Sequence, residues 1–326
     1  MDFKADLWLV LIAFVIAVGT GWFLIPWLRR LKAGQSILKY VDMHMAKAGT
    51  PTMGGLIFIL PIVLISLIFI GWDTPLSLII VVASCGYAIV GFLDDFLKIK
   101  HHQNLGLRAY QKIIGQLGIA LLVAVFYLRI NPAGEIWVPF LNVFWQIGGV
   151  GIFILTLLVL VATTNAVNLT DGLDGLAGTT SLMYLLFIYV LIALTDIGDE
   201  VSTIGNLTAV AVGSLLGYLL FNTKKASVFM GDTGSLFLGG FIAMISLFSG
   251  LGFALIFLGI VFVWSALSTI LQVSWFKISK GKRIFRMAPF HHHLEKMGMH
   301  ESKIVAVYTV VTIIMGIVLV LSVMYV

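Results

Sequence analysis

The stretch LSLIIVVASCGYAIVGFLDDFLK, residues 76–98, decides the fold. Its apolar run 76–93 approaches the ~20 residues that cross a bilayer as a helix. It ends on adjacent carboxylates, Asp94 and Asp95, followed by Lys98. A bare carboxylate beside hydrocarbon costs about 3 kcal/mol, so acids at the end of a membrane span point to a functional site.

Working outward, the same apolar character recurs along the chain. Hydrophobic residues make up 60% of the 326, charged residues 11%, and mean hydropathy is +1.08, which excludes a soluble globular protein. Ten runs suffice to span: 7–28, 53–71, 76–93, 113–130, 147–166, 176–195, 204–221, 235–249, 252–275 and 304–325. The fold class is therefore an all-α integral membrane protein of ten transmembrane helices, residues 1–326 forming a single polytopic domain. The first run is retained rather than cleaved as a signal peptide, because Asp2 and Asp6 precede it and Arg29-Arg30-Leu31-Lys32 follow it. The single Cys85 lies inside a span, which excludes an intramolecular disulfide.

Orientation follows from the basic residues. Eighteen of the 20 Lys and Arg fall in the loops after runs one, three, seven and nine, leaving Lys4 and Arg129 for the other face. Basic loops stay cytoplasmic, so both termini are expected outside. The five motif aspartates and the His291-His292-His293 run then share the cytoplasmic face. Outside, Asn131-Pro132-Ala133-Gly134 followed by alternating Ile136, Val138 and Phe140 suggests a small hairpin.

Four motifs carry chemistry. In the first, Asp94 and Asp95 point about 100° apart on a helix and do not share a face. One serves a metal or a proton while the other is held by a cation such as Lys98. The second, Asn165 to Gly178, joins runs five and six without a basic residue. If helical, it places Asn165, Asn168, Asp171 and Asp174 on one stripe, with Gly172 and Gly175 clearing space for a ligand. Capping by Thr170 or Asp171 would explain only one of these polar residues.

The third motif, Phe229-Met230-Gly231-Asp232-Thr233-Gly234-Ser235, opens a helix whose free N–H groups, with Gly231 and Gly234, suit phosphate oxygens, with Asp232 beside them as a metal ligand. The fourth is the triple histidine followed by Leu294-Glu295. Three consecutive histidines cannot all reach one metal from a regular helix, so phosphate contacts are preferred over zinc. A weaker signal, Thr50-Pro51-Thr52-Met53-Gly54-Gly55, follows Lys47, which is placed to meet an anion. Clustered carboxylates next to phosphate donors call for a hard cation, Mg²⁺ first.

These motifs, in this order across nearly the whole chain, resemble the polyprenyl-phosphate N-acetylhexosamine-1-phosphate transferases. Within them, Pro51 to Gly55 and the triple histidine with Leu-Glu are similar to the bacterial phospho-N-acetylmuramoyl-pentapeptide transferases. The resemblance implies an enzyme of the bacterial cytoplasmic membrane. Using Mg²⁺, it would transfer phospho-N-acetylmuramoyl-pentapeptide from UDP-MurNAc-pentapeptide to undecaprenyl phosphate, giving lipid I and UMP.

It also implies a homodimer, with no nucleic acid among the partners. By motif it carries catalytic roles to Asp94, Asp95, Asp232, Lys47 and His291. Uridine contacts go to Lys98, Asp174, Asn222 and Phe229, and further substrate contacts to Asn168, Asp171, Gly231, His292 and His293, with Asp232 as the metal ligand. Lys112 corresponds to a family lysine less distinctly. For Asp94 two roles stay open: a base that deprotonates undecaprenyl phosphate for one-step displacement, or a nucleophile in a two-step route.

Two other readings compete. A transferase moving GlcNAc-1-phosphate to the same lipid would share the aspartates. A cation-coupled transporter would keep its carboxylates at mid-membrane in broken helices, whereas these lie at helix ends on one face.

Overall fold

The computed structural model describes residues 2–31, 49–70, 74–101, 105–141, 143–195 and 200–325. Lys47 lies outside the described residues, as do Lys32 and Lys39.

The apolar runs become helices α1 (Phe3–Arg30), α2 (Leu56–Ile65), α3 (Pro75–Lys100) and α4 (Ala109–Ile130), followed by strands β1 (Glu135–Val138) and β2 (Val143–Gln146). Next come α5 (Gly148–Thr170), α6 (Leu176–Thr195), α7 (Val201–Asn222), α8 (Gly231–Phe248) and α9 (Ala254–Leu258). The chain finishes with α10 (Ile260–Ile278), α11 (Phe290–Lys296) and α12 (Glu301–Met324).

Among the described residues nine helices are long and apolar enough to cross a membrane: α1, α3 to α8, α10 and α12. The expected tenth span, 53–71, is shorter: α2 and the π-helical turn Ser66–Ile70 that continues it together cover Leu56–Ile70. The run 252–275 is divided at Gly259, which separates α9 from α10.

The hairpin also forms, with Ile136 opposite Trp145 and Val138 opposite Val143. Its burial does not alternate, because Trp137 as well as Ile136 is buried, the Trp137 amide donating to Gly250 O at 3.3 Å. Phe140 and Trp145 pack edge-on against Phe257 and Phe253.

Between lipid-immersed helices there is little hydrophobic drive, so association depends on close packing and small residues. α8 runs through the middle, buried along nearly its whole length. At Gly91 of α3 an added Cβ would run into the Asp232 carbonyl, and at Gly239 it would stand 2.6 Å from Thr164 Cα of α5. The flanking helices thus approach α8 nearly backbone to backbone. Several buried hydroxyls bond back one turn, as in Thr164 to Leu160 O and Ser246 to Ile242 O, both 2.8 Å, so the polarity of these groups is satisfied within the helix. Trp22, Phe23, Leu122 and Val150 remain exposed on the outside, as a lipid-facing surface requires.

One end of the bundle collects polar groups. There the C-terminal ends of α3, α5 and α7 meet the starts of α4, α8 and α12.

Candidate active site

At that end Asp94 and Asp95 are nearly fully buried, at 2% and 3% exposed. The 100° between them on α3 sends the two carboxylates to different parts of one residue. Asp94 faces the side chain of Asp232, and Asp95 takes its backbone. Oxygens of all three lie within 4.8 Å of one another.

Two lysines close the gap. Lys98, one turn after Asp94, stands 2.5 Å from Asp94 Oδ2 and donates to Asp232 Oδ2 at 3.2 Å. Lys112, from the first turn of α4, donates to the same Asp232 oxygen at 2.6 Å and lies 4.0 Å from Asp94 Oδ2. Asn168 of α5 donates to Asp232 Oδ1 at 2.8 Å and to Ser235 Oγ at 2.8 Å. Asp94 Oδ1 accepts the Leu107 amide at 2.8 Å, which ties down the end of the α3–α4 connection just before α4. Asp232 is therefore gripped on both oxygens, with two further carboxylates behind it.

Asp95 serves the start of α8. Its Oδ1 accepts the Asp232 amide at 3.2 Å, and its Oδ2 accepts the amide and hydroxyl of Thr233 at 2.9 and 2.7 Å. Of the helix-start amides expected to meet phosphate, those of Asp232 and Thr233 donate to Asp95. Gly231 itself has φ +73, and a Cβ there would stand 2.6 Å from both Asp95 Oδ2 and Thr52 Oγ1. The segment before α2 reinforces the same turn: Gly54 donates to Phe229 O at 2.7 Å, and the Phe229 amide to Pro51 O at 2.8 Å.

The polar stripe expected from Asn165 to Asp174 is only half realised. α5 stops at Thr170 and Asp171 caps it, so Asp171 and Asp174 sit in a turn rather than on the helix face. The Asp171 carboxyl is pushed well above the usual carboxylate range, first by burial and then by the negative charges of Asp232, Asp95 and Asp174.

Asp174 Oδ2 accepts the Ala226 amide at 3.1 Å, and its own amide donates to Glu301 Oε1 at 2.7 Å. Asn222 accepts the Gly175 amide at 3.1 Å and donates to Val228 O at 2.9 Å. Of the four residues expected at a uridine, Asp174 and Asn222 thus brace the turns around the site, Lys98 lies on Asp94 and Asp232, and half-buried Phe229 follows Val228, whose carbonyl Asn222 holds. Gly172 does not leave open space either, because the His291 ring fills it.

The three histidines diverge, as their helical spacing requires. His291 is fully buried against Gly172, and its ring centroid is 4.3 Å from that of His292. His292 Nδ1 meets Glu295 Oε2 at 2.7 Å. His293 turns away into a nest with Phe285 and Phe290, and its Nδ1 accepts the Arg286 amide at 3.1 Å. The three rings therefore do not converge, and His293 packs against Phe285 and Phe290.

Sequence reasoning gave no role of their own to Thr233 and Glu295, which lie inside its motifs, and passed over Gln116 and Glu301. A signal for Thr233 was present, as the hydroxyl next to Asp232 at a helix start. Gln116 stood out as an amide inside an apolar run, four residues after Lys112.

Residues 77–250 match glycosyl transferase family 4, and residues 47–59 match phospho-N-acetylmuramoyl-pentapeptide-transferase signature 1. A phospho-N-acetylmuramoyl-pentapeptide-transferase of Clostridium kluyveri is 43% identical over 311 residues, covering 94% of this chain and 95% of its own length. The proteins of the same name from Heliobacterium modesticaldum and Caldanaerobacter subterraneus are both 42% identical, over 310 and 305 residues. They cover 94% and 93% of this chain, and 94% of each relative.

Proposed function

We infer the reaction from the premise that the chain belongs to the phospho-N-acetylmuramoyl-pentapeptide-transferase family. It is a multi-pass enzyme of the bacterial plasma membrane that transfers phospho-MurNAc-pentapeptide from UDP-MurNAc-pentapeptide to undecaprenyl phosphate, forming lipid I and UMP. The observation that carries this reading is Asp232, held on both oxygens by Lys98, Lys112 and Asn168 beside Asp94 and Asp95. Such a cluster at a bundle end reaches a lipid phosphate in the bilayer and a soluble nucleotide sugar alike.

Mg²⁺ fits this donor set. Asp94, Asp95 and Asp232 would hold it, being hard oxygen ligands gathered in one place with two lysines already drawn in by their charge. When bound, the ion supplies charge neutralisation for the pyrophosphate.

The chain's own groups divide the remaining work. Lys98 and Lys112 orient anionic oxygens. Asp94, held by Lys98 on one side and the Leu107 amide on the other, removes the last proton from undecaprenyl phosphate. Asp95 fixes the backbone that carries Asp232. Phe229 stacks on the uracil, with Asp174 and Asn222 shaping the turns around it. Asn168, Asp171, His291, His292 and Lys47 complete the contacts to sugar and phosphates. The site lies on the cytoplasmic face, with both termini outside, and the enzyme works as a homodimer.

The test is purified protein with Mg²⁺, undecaprenyl phosphate and UDP-MurNAc-pentapeptide, with UMP and lipid I as the products measured. Turnover of UDP-GlcNAc in place of the muramoyl substrate would transfer the assignment to the GlcNAc-1-phosphate enzymes.

A further inference from the structure

One helical turn below the groups that grip Asp232 lies a second polar pair, set between α4 and α5. Gln116 of α4 is fully buried. Its Oε1 accepts from Asn165 Nδ2 of α5 at 2.6 Å, and its Nε2 donates to Asn165 Oδ1 at 3.4 Å. Asn165 Nδ2 also donates to Val161 O at 2.8 Å, and the Tyr87 hydroxyl of α3 reaches the Gln116 carbonyl at 3.5 Å. Asn165 therefore faces α4, although its place in the motif suggested a ligand-facing stripe.

The spacing gives this pair its meaning. Gln116 follows Lys112 by four residues and Asn165 precedes Asn168 by three, so each amide shares a helix face with a residue that touches Asp232. Lys112 lands on Asp232 Oδ2 at 2.6 Å and Asn168 on Oδ1 at 2.8 Å. An apolar contact tolerates a small slide between helices, whereas a reciprocal amide pair does not. Each amide gives one donor and one acceptor to the other, so a slide or rotation breaks both bonds at once.

We propose that Gln116 and Asn165 are a positioning pair for the transfer reaction, locking α4 against α5 so that Lys112 and Asn168 arrive on opposite oxygens of Asp232. The pair touches no substrate. It sets the geometry of residues that do, and the proposal rests on the transferase reading for its chemistry. A misplacement of about an ångström at a reacting centre can cost roughly 100-fold in rate.

The experiment uses isosteric replacements in the full-length protein in detergent: Gln116→Met, Asn165→Leu, and the exchange Gln116→Asn with Asn165→Gln, which keeps the combined side-chain length and restores an amide pair. Each single variant is expected to lower kcat about 30- to 100-fold with the KM for UDP-MurNAc-pentapeptide within about twofold, and the exchange to recover to within about fivefold of the parent. Mg²⁺-dependent thermal stabilisation, which needs no substrate, is expected to require several-fold more Mg²⁺ in the single variants.

A folded Gln116→Met protein with kcat within about threefold of the parent overturns the proposal. Should that variant not fold, the exchange decides: one that folds but turns over as slowly as Asn165→Leu overturns it as well. A parent protein that is stabilised by Mg²⁺ but does not turn over UDP-MurNAc-pentapeptide counts against the transferase reading, and the Mg²⁺ requirement of the variants still judges the pair.

Discussion

Asp95 of α3 caps a helix to which it does not belong, accepting the amide and hydroxyl of Thr233 at 2.9 and 2.7 Å where α8 begins. A carboxylate at a helix start satisfies orphan amides and faces the positive end of the dipole, and a cap of this kind contributes about 1 kcal/mol. Because Asp232 is the residue before Thr233, the same bonds fix the carboxylate that Lys98 and Lys112 hold. Membrane packing and site geometry are one interaction here.

Thr233→Val keeps the shape and the amide bond but removes the hydroxyl from a buried carboxylate. The variant is expected to unfold at a lower temperature in detergent, corresponding to about 1–2 kcal/mol, and to lose roughly tenfold in kcat as Asp232 loosens. Thermal unfolding and steady-state UMP release measure the two effects. A variant as stable and active as the parent would reduce the Thr233 hydroxyl to a bystander.

Asp171 sets a pH dependence. Its carboxyl is raised in the folded state by burial and by neighbouring acids, so the folded protein holds this proton to higher pH than the unfolded chain does. Stability therefore falls as pH rises from the unfolded value into the folded one, and the full cost is carried above that. In Asp171→Asn this contribution is absent. In metal-free buffer the variant is expected to gain stability over the parent as pH rises above about 4, with no gain at the acidic end. Parallel pH series of thermal midpoints check it, and a gap independent of pH would rule out the titration of Asp171 as its source.

Much of the fold and of the site is legible in the sequence. The decisive helix ends reveal themselves through Asp94-Asp95 and Asp232, because a carboxylate at the edge of an apolar run is costly unless a cation or a ligand offsets its charge. The hairpin at 135–146 follows from the turn residues Asn131-Pro132-Ala133-Gly134.

What the sequence hides depends on long-range partners. The spacing of Asn165, Asn168, Asp171 and Asp174 is helical, yet the helix ends at Thr170, where the turn is held by Asn222 and Glu301 from far along the chain. No local pattern announces that Asp95 consumes the amides at the α8 start, or that His293 leaves its neighbours for Phe285 and Phe290. Hydropathy overstates the 53–71 span at its start, because Met53, Gly54 and Gly55 lead into the helix as a turn, and α2 with its π-helical continuation covers Leu56–Ile70.

Metal dependence follows from the carboxylate cluster. Removing Mg²⁺ with a chelator is expected to abolish turnover and lower the thermal midpoint, both restored on adding Mg²⁺ back. Asp232→Asn is expected to lose roughly 1,000-fold or more in kcat, since Lys98 and Lys112 then share only Asp94 and the donor set loses a charge. It should also lose the Mg²⁺-dependent stabilisation. A variant with near-normal rate and Mg²⁺ dependence would leave Asp232 as a helix-start residue without a part in the reaction.

The sharpest question concerns Asp94. The acceptor is already a phosphate, nucleophilic without help from a covalent enzyme intermediate, and an acylphosphate on Asp94 would add a high-energy intermediate that the displacement does not need. Asp94 also has little freedom to attack: Oδ2 is held 2.5 Å from Lys98 and Oδ1 accepts the Leu107 amide at 2.8 Å. A base needs only to receive a proton in that position, whereas a nucleophile must give up one of these partners to reach phosphorus. The expected result is therefore one-step displacement. Enzyme mixed with UDP-MurNAc-pentapeptide and Mg²⁺ but no lipid acceptor should release no UMP above background. Asp94→Asn should fall by about 10²- to 10⁴-fold, with the loss reduced at higher pH, where the lipid phosphate is already deprotonated. One equivalent of UMP per active site without acceptor, with a sugar phosphate trapped on Asp94, would establish the two-step route instead.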